Sequence, residues 1–130
     1  NVAAIKNEPY DRLLIYINPD KYGSFYSDEE ALNKFNNTIS KITTITRSIE
    51  LDMRDNYVTD EKVYGLCDLI QNNKDIEKLV CLMTSNDISD VGAKKIINSI
   101  SKLTNLTFLN ISFDWCFDVS NESLKLLCEV

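Results

Sequence analysis

The sequence contains no histidine, and its 130 residues include only 3 glycines and 2 prolines. Histidine is the commonest general base and a frequent metal ligand, so neither a Ser-His-Asp nor a Cys-His site can be built from this chain. The glycines Gly23, Gly65 and Gly92 stand apart, which excludes a glycine-rich phosphate-binding loop. We therefore predict that the chain is not an enzyme and uses no cofactor or metal ion.

Basic clusters and long apolar runs are also lacking. The formal net charge is −6, whereas nucleic-acid binding requires a surface rich in Lys and Arg. No stretch reaches the roughly 18–20 apolar residues that a membrane-spanning helix needs. We therefore expect no nucleic-acid partner and no transmembrane segment.

The cysteines lack the spacing of a metal site or of a disulfide framework. There are four, Cys67, Cys81, Cys116 and Cys128, without a Cys-x-x-Cys pair. A zinc site would need all four thiolates from scattered positions, so free cysteines that pack as small apolar side chains are the simpler interpretation. They predict an intracellular, reducing compartment, with cytoplasm, cilium and mitochondrion all left open.

The chain instead contains one pattern that recurs along its length. It reads apolar-x-apolar-x-x-Asn or Asp, followed after a short gap by an apolar residue and then Ser or Thr. The clearest copies reach Asn56 and Asn86, which are thirty residues apart. Weaker copies reach Asp20 and Asp114, and three extra residues follow Asp114. Such repetition indicates a stacked array of similar units, and arrays of this kind are usually binding surfaces.

Each copy has the pattern of a strand, a turn and a helix. Alternating apolar residues, as at 49–54, predict a strand with one buried face, and the Asn or Asp that follows is typical of a turn. Apolar residues at helical spacing come next, preceded by Ser or Thr where a helix N-cap belongs. The expected N-caps are Ser27, Thr59, Ser89 and Ser120. We predict one domain, 1–130, with units at about 12–47, 48–77, 78–105 and 106–130.

The copy that begins at Asn86 resembles a leucine-rich repeat of the ribonuclease-inhibitor class. That class has Asn, an apolar residue two positions later, Gly six later, and apolar residues ten and fourteen later, which Ile88, Gly92, Ile96 and Ile100 satisfy. The resemblance implies an α/β fold: a solenoid of about four strand-turn-helix units, with a parallel sheet on the concave side and helices on the convex side. It also implies a structural ladder, in which the side chain that ends each strand bonds backbone groups of the neighbouring turn. The ladder residues would be Asp20, Asn56, Asn86 and Asp114.

The leading functional prediction is a non-catalytic protein–protein interaction or scaffold module that binds through the concave strand face. The residues expected to meet the partner alternate with the core residues of the strands: Tyr16, Glu50, Asp52, Val80, Leu82, Phe108 and Asn110. Because this row is apolar at its centre and acidic on one strand, the expected partner is another protein, presenting an amphipathic segment with basic residues.

Two alternatives remain open. The chain could be a structural subunit of a large mitochondrial or ciliary assembly, with the apolar concave face as the interface. It could also be a compact α/β regulatory domain of the anti-sigma-factor-antagonist type, because Leu13–Ile17 and Leu79–Met83 are apolar throughout and strands buried on both faces have this composition. Strand order separates the two folds, since a solenoid pairs its strands in chain order with the helices on one side.

The two ends of the chain lead to further expectations. The sequence begins at Asn1 rather than Met and stops at Val130 within a helical pattern, so we expect it to be part of a longer protein. A repeat array needs caps over its terminal core. We expect residues 1–12 to cover the first unit, and Trp115 with Phe117 to cover the last.

Overall fold

Helices and strands alternate along the chain in the computed structural model, which describes residues 3–8, 12–17, 29–42, 47–56 and 58–130. This confirms the α/β class. The elements in chain order are β1 (Ala3–Glu8), β2 (Arg12–Ile17), α1 (Glu29–Ile39), β3 (Ser48–Asp52), α2 (Tyr64–Asn72), β4 (Lys78–Leu82), α3 (Asp90–Ile100), β5 (Phe108–Ser112), α4 (Asn121–Lys125) and a 3₁₀ helix at Leu126–Glu129.

Strands β2 to β5 pair in parallel and in chain order within one sheet. Their register follows the repeat, because Ile49 lies opposite Leu79 and Leu79 lies opposite Leu109. A stacked array requires this order, whereas a doubly wound sheet reverses its strand order at a switch point.

The sequence analysis does not predict strand β1. It pairs antiparallel with β2, so that Ala3 lies opposite Ile17 and Glu8 lies opposite Arg12. Within 1–12, the described residues 3–8 thus form an additional edge strand, and the expected cap over the core of the first unit stays a prediction.

The core lies on one face of the sheet. Buried and half-buried side chains alternate along β3 and β4, as the pleat of a strand dictates. The buried strand residues share one apolar cluster with side chains of α1, α2 and α3, so these helices pack on the same side. The main contributors are Ile49, Leu51, Leu79 and Cys81 from the strands, and Phe35, Ile39, Leu66, Ile70, Ile96 and Ile100 from the helices.

The predicted helix starts are confirmed at two positions. Ser89 and Ser120 are the N-caps of α3 and α4, and their hydroxyls accept hydrogen bonds from the first helical turn. The prediction for Thr59 is wrong, because α2 begins only at Tyr64. The chain before it turns more tightly than an α-helix, with the Lys62 N–H donating to the Thr59 carbonyl at 2.9 Å. Ser27 lies outside the described residues.

Candidate functional site

The side chain of Asn86, at the end of β4, joins two neighbouring turns. Its Oδ1 accepts hydrogen bonds from the backbone N–H of Asn56 at 3.2 Å and of Val58 at 2.9 Å. Its Nδ2 donates to the carbonyls of Met53 at 2.9 Å and Met83 at 2.8 Å. The side chain thus satisfies buried backbone groups that would otherwise lose their partners.

Asn56 occupies the equivalent position after β3 and is fully buried. Its Nδ2 donates to the Arg54 carbonyl at 2.7 Å. Both predicted ladder asparagines therefore lie buried beyond the strand ends and bond backbone groups. Asp20 lies outside the described residues.

The predicted ladder role of Asp114 is wrong. Asp114 is exposed, and its carboxylate accepts a hydrogen bond from the Ser112 hydroxyl at 3.0 Å. The predicted alignment of the last copy with the copy at Asn86 is therefore shifted by two residues, because the thirty-residue period leads from Asn86 to position 116 and not to 114. Because side chains in a strand repeat every two residues, a slip of two keeps each apolar residue on its own face and leaves the pattern looking intact.

Cys116 holds the ladder position in the last unit. It is buried, and its thiol donates to the Met83 carbonyl at 3.2 Å. This bond repeats, thirty residues later, the one from Asn86 Nδ2 to the Met53 carbonyl. Burial raises the pKa of the Cys116 thiol, although the nearby backbone of Asn86 and Ile88 acts against the rise.

The backbone conformation of the turns also aligns Cys116 with Asn56 and Asn86. The residue before each ladder position has a left-handed conformation, with φ of 57° at Asp55, 58° at Ser85 and 60° at Trp115. The three lie thirty residues apart. This conformation is uncommon for a side chain as bulky as that of Trp115.

The predicted capping role of Trp115 and Phe117 is also wrong. Trp115 is 69% exposed and Phe117 is 85% exposed. Their rings contact each other edge to face, with centroids 5.9 Å apart. Phe113 and Cys116 are the buried members of this segment, while the two aromatic side chains project from the turn.

A second set of contacts, which the sequence analysis misses, joins the starts of α3 and α4 to an aspartate about thirty residues earlier in the chain. Asp60 Oδ1 accepts from the backbone N–H groups of Ser89 and Gly92, each at 2.9 Å, and Oδ2 accepts from the Ser89 hydroxyl. A side chain at Gly92 would place its Cβ 2.3 Å from Asp60 Oδ1, so the repeat glycine makes room for this carboxylate. Burial acts to raise the pKa of Asp60, but these hydrogen bonds outweigh it and hold the pKa below its ordinary value.

Asp90 repeats this arrangement at the start of α4. Its carboxylate accepts from the Ser120 backbone N–H at 2.8 Å and from the hydroxyls of Ser120 and Ser123. The bond from Ser123, followed by those from Ser120, lowers the pKa of Asp90. The recurrence of Asp directly after Thr59 and Ser89 is the sequence signal for this contact.

The face of the sheet opposite the core carries the residues expected to meet a partner. We call it the outer sheet face, and its side chains lie in rows across the strands. In chain order, the rows from β3 to β5 are Ser48–Lys78–Phe108, Glu50–Val80–Asn110 and Asp52–Leu82–Ser112.

The apolar part of the outer sheet face is a stripe. Val80 and Leu82 are half-buried along β4, and Phe108 is 50% exposed at the start of β5. The stripe does not continue to Leu14, because Glu50 stands between Leu14 and Val80 in its row. Tyr16 is placed in β2 opposite Asp52, and its side chain lies outside the described part.

The acidic residues of the outer sheet face already have cationic partners within the chain. Lys78 Nζ lies 2.9 Å from Glu50 Oε1 and 5.4 Å from the centroid of the Phe108 ring. Arg54 donates to both carboxylate oxygens of Asp52, at 2.8 and 2.7 Å, and these bonds lower the pKa of Asp52. A basic group on a partner is therefore not needed to neutralise Glu50 or Asp52.

Among the described residues, no cluster of three or more His, Cys, Asp or Glu side chains is arranged to hold a metal ion. Across the same part of the chain, the helices are too short or too polar to cross a membrane. Three of the four cysteines are buried, and Cys128 is exposed.

Comparisons with models of protein families, with curated proteins and with solved structures find no match to this chain.

Proposed function

We propose that the chain is a non-catalytic protein-binding module, built as a leucine-rich-repeat-like solenoid of about four units, whose concave surface is the outer sheet face. The observation that carries the proposal is the stripe of Val80, Leu82 and Phe108 on the side of the sheet away from the helices. Pairing in chain order and the side-chain bonds of Asn86 support the repeat architecture. Helices on one side favour it over a compact regulatory domain with helices on both faces.

The stripe has the composition of a small binding site. Phe108 offers an exposed aromatic ring, and aromatic side chains at the centre of an interface often dominate its binding energy. Asn110 and Ser112 border the stripe on β5, and the ion-paired Glu50 and Asp52 border it on β3. Contact sites commonly have such an apolar centre within a polar rim.

The polar rim also bears on the choice between a reversible binder and a permanent subunit. Permanent interfaces are larger and more apolar than reversible ones. The apolar stripe on the outer sheet face is only one strand wide, with Phe108 beside it. This small apolar area favours a reversible adaptor. An amphipathic segment of another protein, with one apolar edge along β4, fits this width.

The test is capture of partners from an extract of the cells that express the protein, followed by mass spectrometry. Phe108→Asp and Leu82→Asp should each remove the partner that the wild-type chain recovers, while the melting temperature stays nearly unchanged. Val91→Asp is the matched control, because Val91 is 56% exposed but lies on α3, away from the outer sheet face. Loss of the same partner with Val91→Asp, or unfolding by Phe108→Asp, would contradict the proposal.

A further inference from the structure

The outer edge of β5 is an unpaired strand edge in the described part of the chain. β5 is last in the sheet order, and the carbonyls of Ser112 and Asp114 accept from β4 and the turn beyond it. In a parallel pair, alternate residues bond to the same neighbour. The N–H groups of Leu109, Ile111 and Phe113 are therefore directed away from β4.

A cavity with both polar and apolar side chains in its lining runs beside this edge. Its volume is about 370 Å³, and its apolar lining includes Ile111, Phe113, Val119, Leu124 and Leu127. Ile111 and Leu127 are only half-buried, and Leu124 is 38% exposed. The cavity lies where side chains from an added strand would enter the core.

The composition of β5 does nothing to block pairing. Exposed edges are usually protected by charged residues or proline, but Phe108–Ser112 contains neither. The opposite edge strand, β1, contains Lys6 and Glu8. An uncharged edge next to a cavity that contains apolar side chains is suited to strand addition, in which main-chain hydrogen bonds supply affinity and pockets read alternate side chains.

The net charge of the last unit indicates what kind of strand would pair with β5. The segment 106–130 has Lys125 as its one basic residue, against the acidic residues Asp114, Asp118, Glu122 and Glu129, and so carries half of the net charge of −6. A second copy of the chain would bring the same excess of negative charge and be repelled. Basic side chains would instead be attracted, and the exposed rings of Trp115 and Phe117 offer them cation–π contacts.

We propose that the β5 edge binds an extended segment of a partner protein, parallel to β5, in which apolar and basic residues alternate. The apolar side chains enter the cavity lined by Ile111, Leu124 and Leu127. The basic side chains lie on the opposite face of the added strand, on the side of Ser112 and of the Asp114 carboxylate that Ser112 contacts. This site is separate from the stripe on the outer sheet face, so either proposal can fail alone.

The test uses a synthetic peptide of about nine residues in which Lys and Val alternate, a length that matches a typical strand and its flanks. Amide hydrogen exchange of Leu109, Ile111 and Phe113 should slow by at least about tenfold when the peptide is bound, because these N–H groups become paired. The N–H of Asn110, directed towards β4, should be unaffected. The comparison peptide has the same composition with all Val residues placed before all Lys residues, and it should give no alternating protection.

Two variants keep the test specific. Leu124→Lys places a positive charge in the cavity and should weaken peptide binding by about tenfold or more, as loss of an interface anchor does. Val91→Lys makes the same change at an exposed position on α3 and should leave binding within about twofold of wild type. The proposal is overturned by the absence of binding, by equal binding of the two peptides, or by protection outside this edge. It is also overturned if the chain alone dimerises with the same three amides protected, since a second copy would then occupy the edge.

Discussion

The two middle units, 48–105, and the last unit, 106–130, follow the same backbone path but differ in burial. In β3 and β4 every second side chain is buried, whereas Leu109 and Ile111 at the matching positions of β5 are half-buried. Helix α3 has 11 residues and α4 has 5 before the 3₁₀ helix. Among the described residues, the last unit holds most of the exposed large apolar side chains.

This difference separates what a repeat unit specifies by itself from what its neighbours supply. The strand, the left-handed turn residue, the ladder contact and the Ser N-cap recur in the last unit, so they depend on local sequence and on the preceding unit. Complete burial of the core side chains of a strand requires packed elements on both sides, and within the described chain β5 has a neighbouring strand on one side. The last unit is consequently the part of the described chain with the most apolar surface left for another molecule.

The largest expected effect compares the same truncation in the two regions. Leu79→Ala should lower the free energy of unfolding by about 3 kcal/mol, because a fully buried side chain leaves a cavity. Leu109→Ala should cost only about 1 kcal/mol, since the removed atoms are already partly in contact with water. Urea denaturation followed by circular dichroism gives both values.

The control for this pair is Asn110→Ala, at an exposed position of β5. It should change the free energy of unfolding by less than about 0.5 kcal/mol. Equal costs for Leu79→Ala and Leu109→Ala would mean that the last unit is packed as tightly as the middle ones, and the comparison would fail.

The second expected effect is loss of stability in acid through the carboxylates that join helix starts. In the folded chain the pKa values of Asp60 and Asp90 lie below the ordinary aspartate value of 3.8. The stabilisation from these carboxylates is therefore present above that pH and is lost as pH falls through the folded pKa values. Asp60→Asn should cost roughly 1 kcal/mol at neutral pH, as the loss of a helix N-cap does. Asp60→Asn should also weaken the dependence of the free energy of unfolding on pH below the pKa of an unfolded aspartate.

The two helices should respond differently to acid. α4 is shorter than α3, so protonation of Asp90 should release it first. Hydrogen exchange measured along an acid titration should show α4 amides losing protection at higher pH than α3 amides. Simultaneous loss in both helices would indicate that the last unit unfolds together with the middle ones.

The sequence predicts the parts of the fold that a local pattern controls. The strands after the first, their order, the buried asparagines Asn56 and Asn86, and the caps of α3 and α4 follow from period, turn chemistry and capping. The start of α2 does not, because Lys62 replaces the repeat glycine and its carbonyl accepts a bond from Asn36 in the preceding helix at 3.1 Å.

The candidate site is less predictable from sequence than the fold. The alternation correctly assigns Val80, Leu82 and Phe108 to one face, but it carries no information about the neighbours of Glu50 and Asp52. Their ion pairs depend on which strands are adjacent and on where Lys78 and Arg54 reach. A period of two also cannot distinguish Asp114 from Cys116 as the ladder residue, since both registers bury the same face of β5.

The smallest expected effect tests that register directly. Asn86 donates two hydrogen bonds from its amide, whereas the Cys116 thiol has one proton to donate. Cys116→Asn adds a second donor, placed for the carbonyl of Phe113 as Asn86 is placed for that of Met83, and should raise the free energy of unfolding by about 0.5 kcal/mol. Asp114→Asn should leave it unchanged, because Asp114 is exposed. If Asp114→Asn stabilises the chain and Cys116→Asn destabilises it, the ladder of the last unit runs through Asp114, and the equivalence between the last unit and the middle units is wrong.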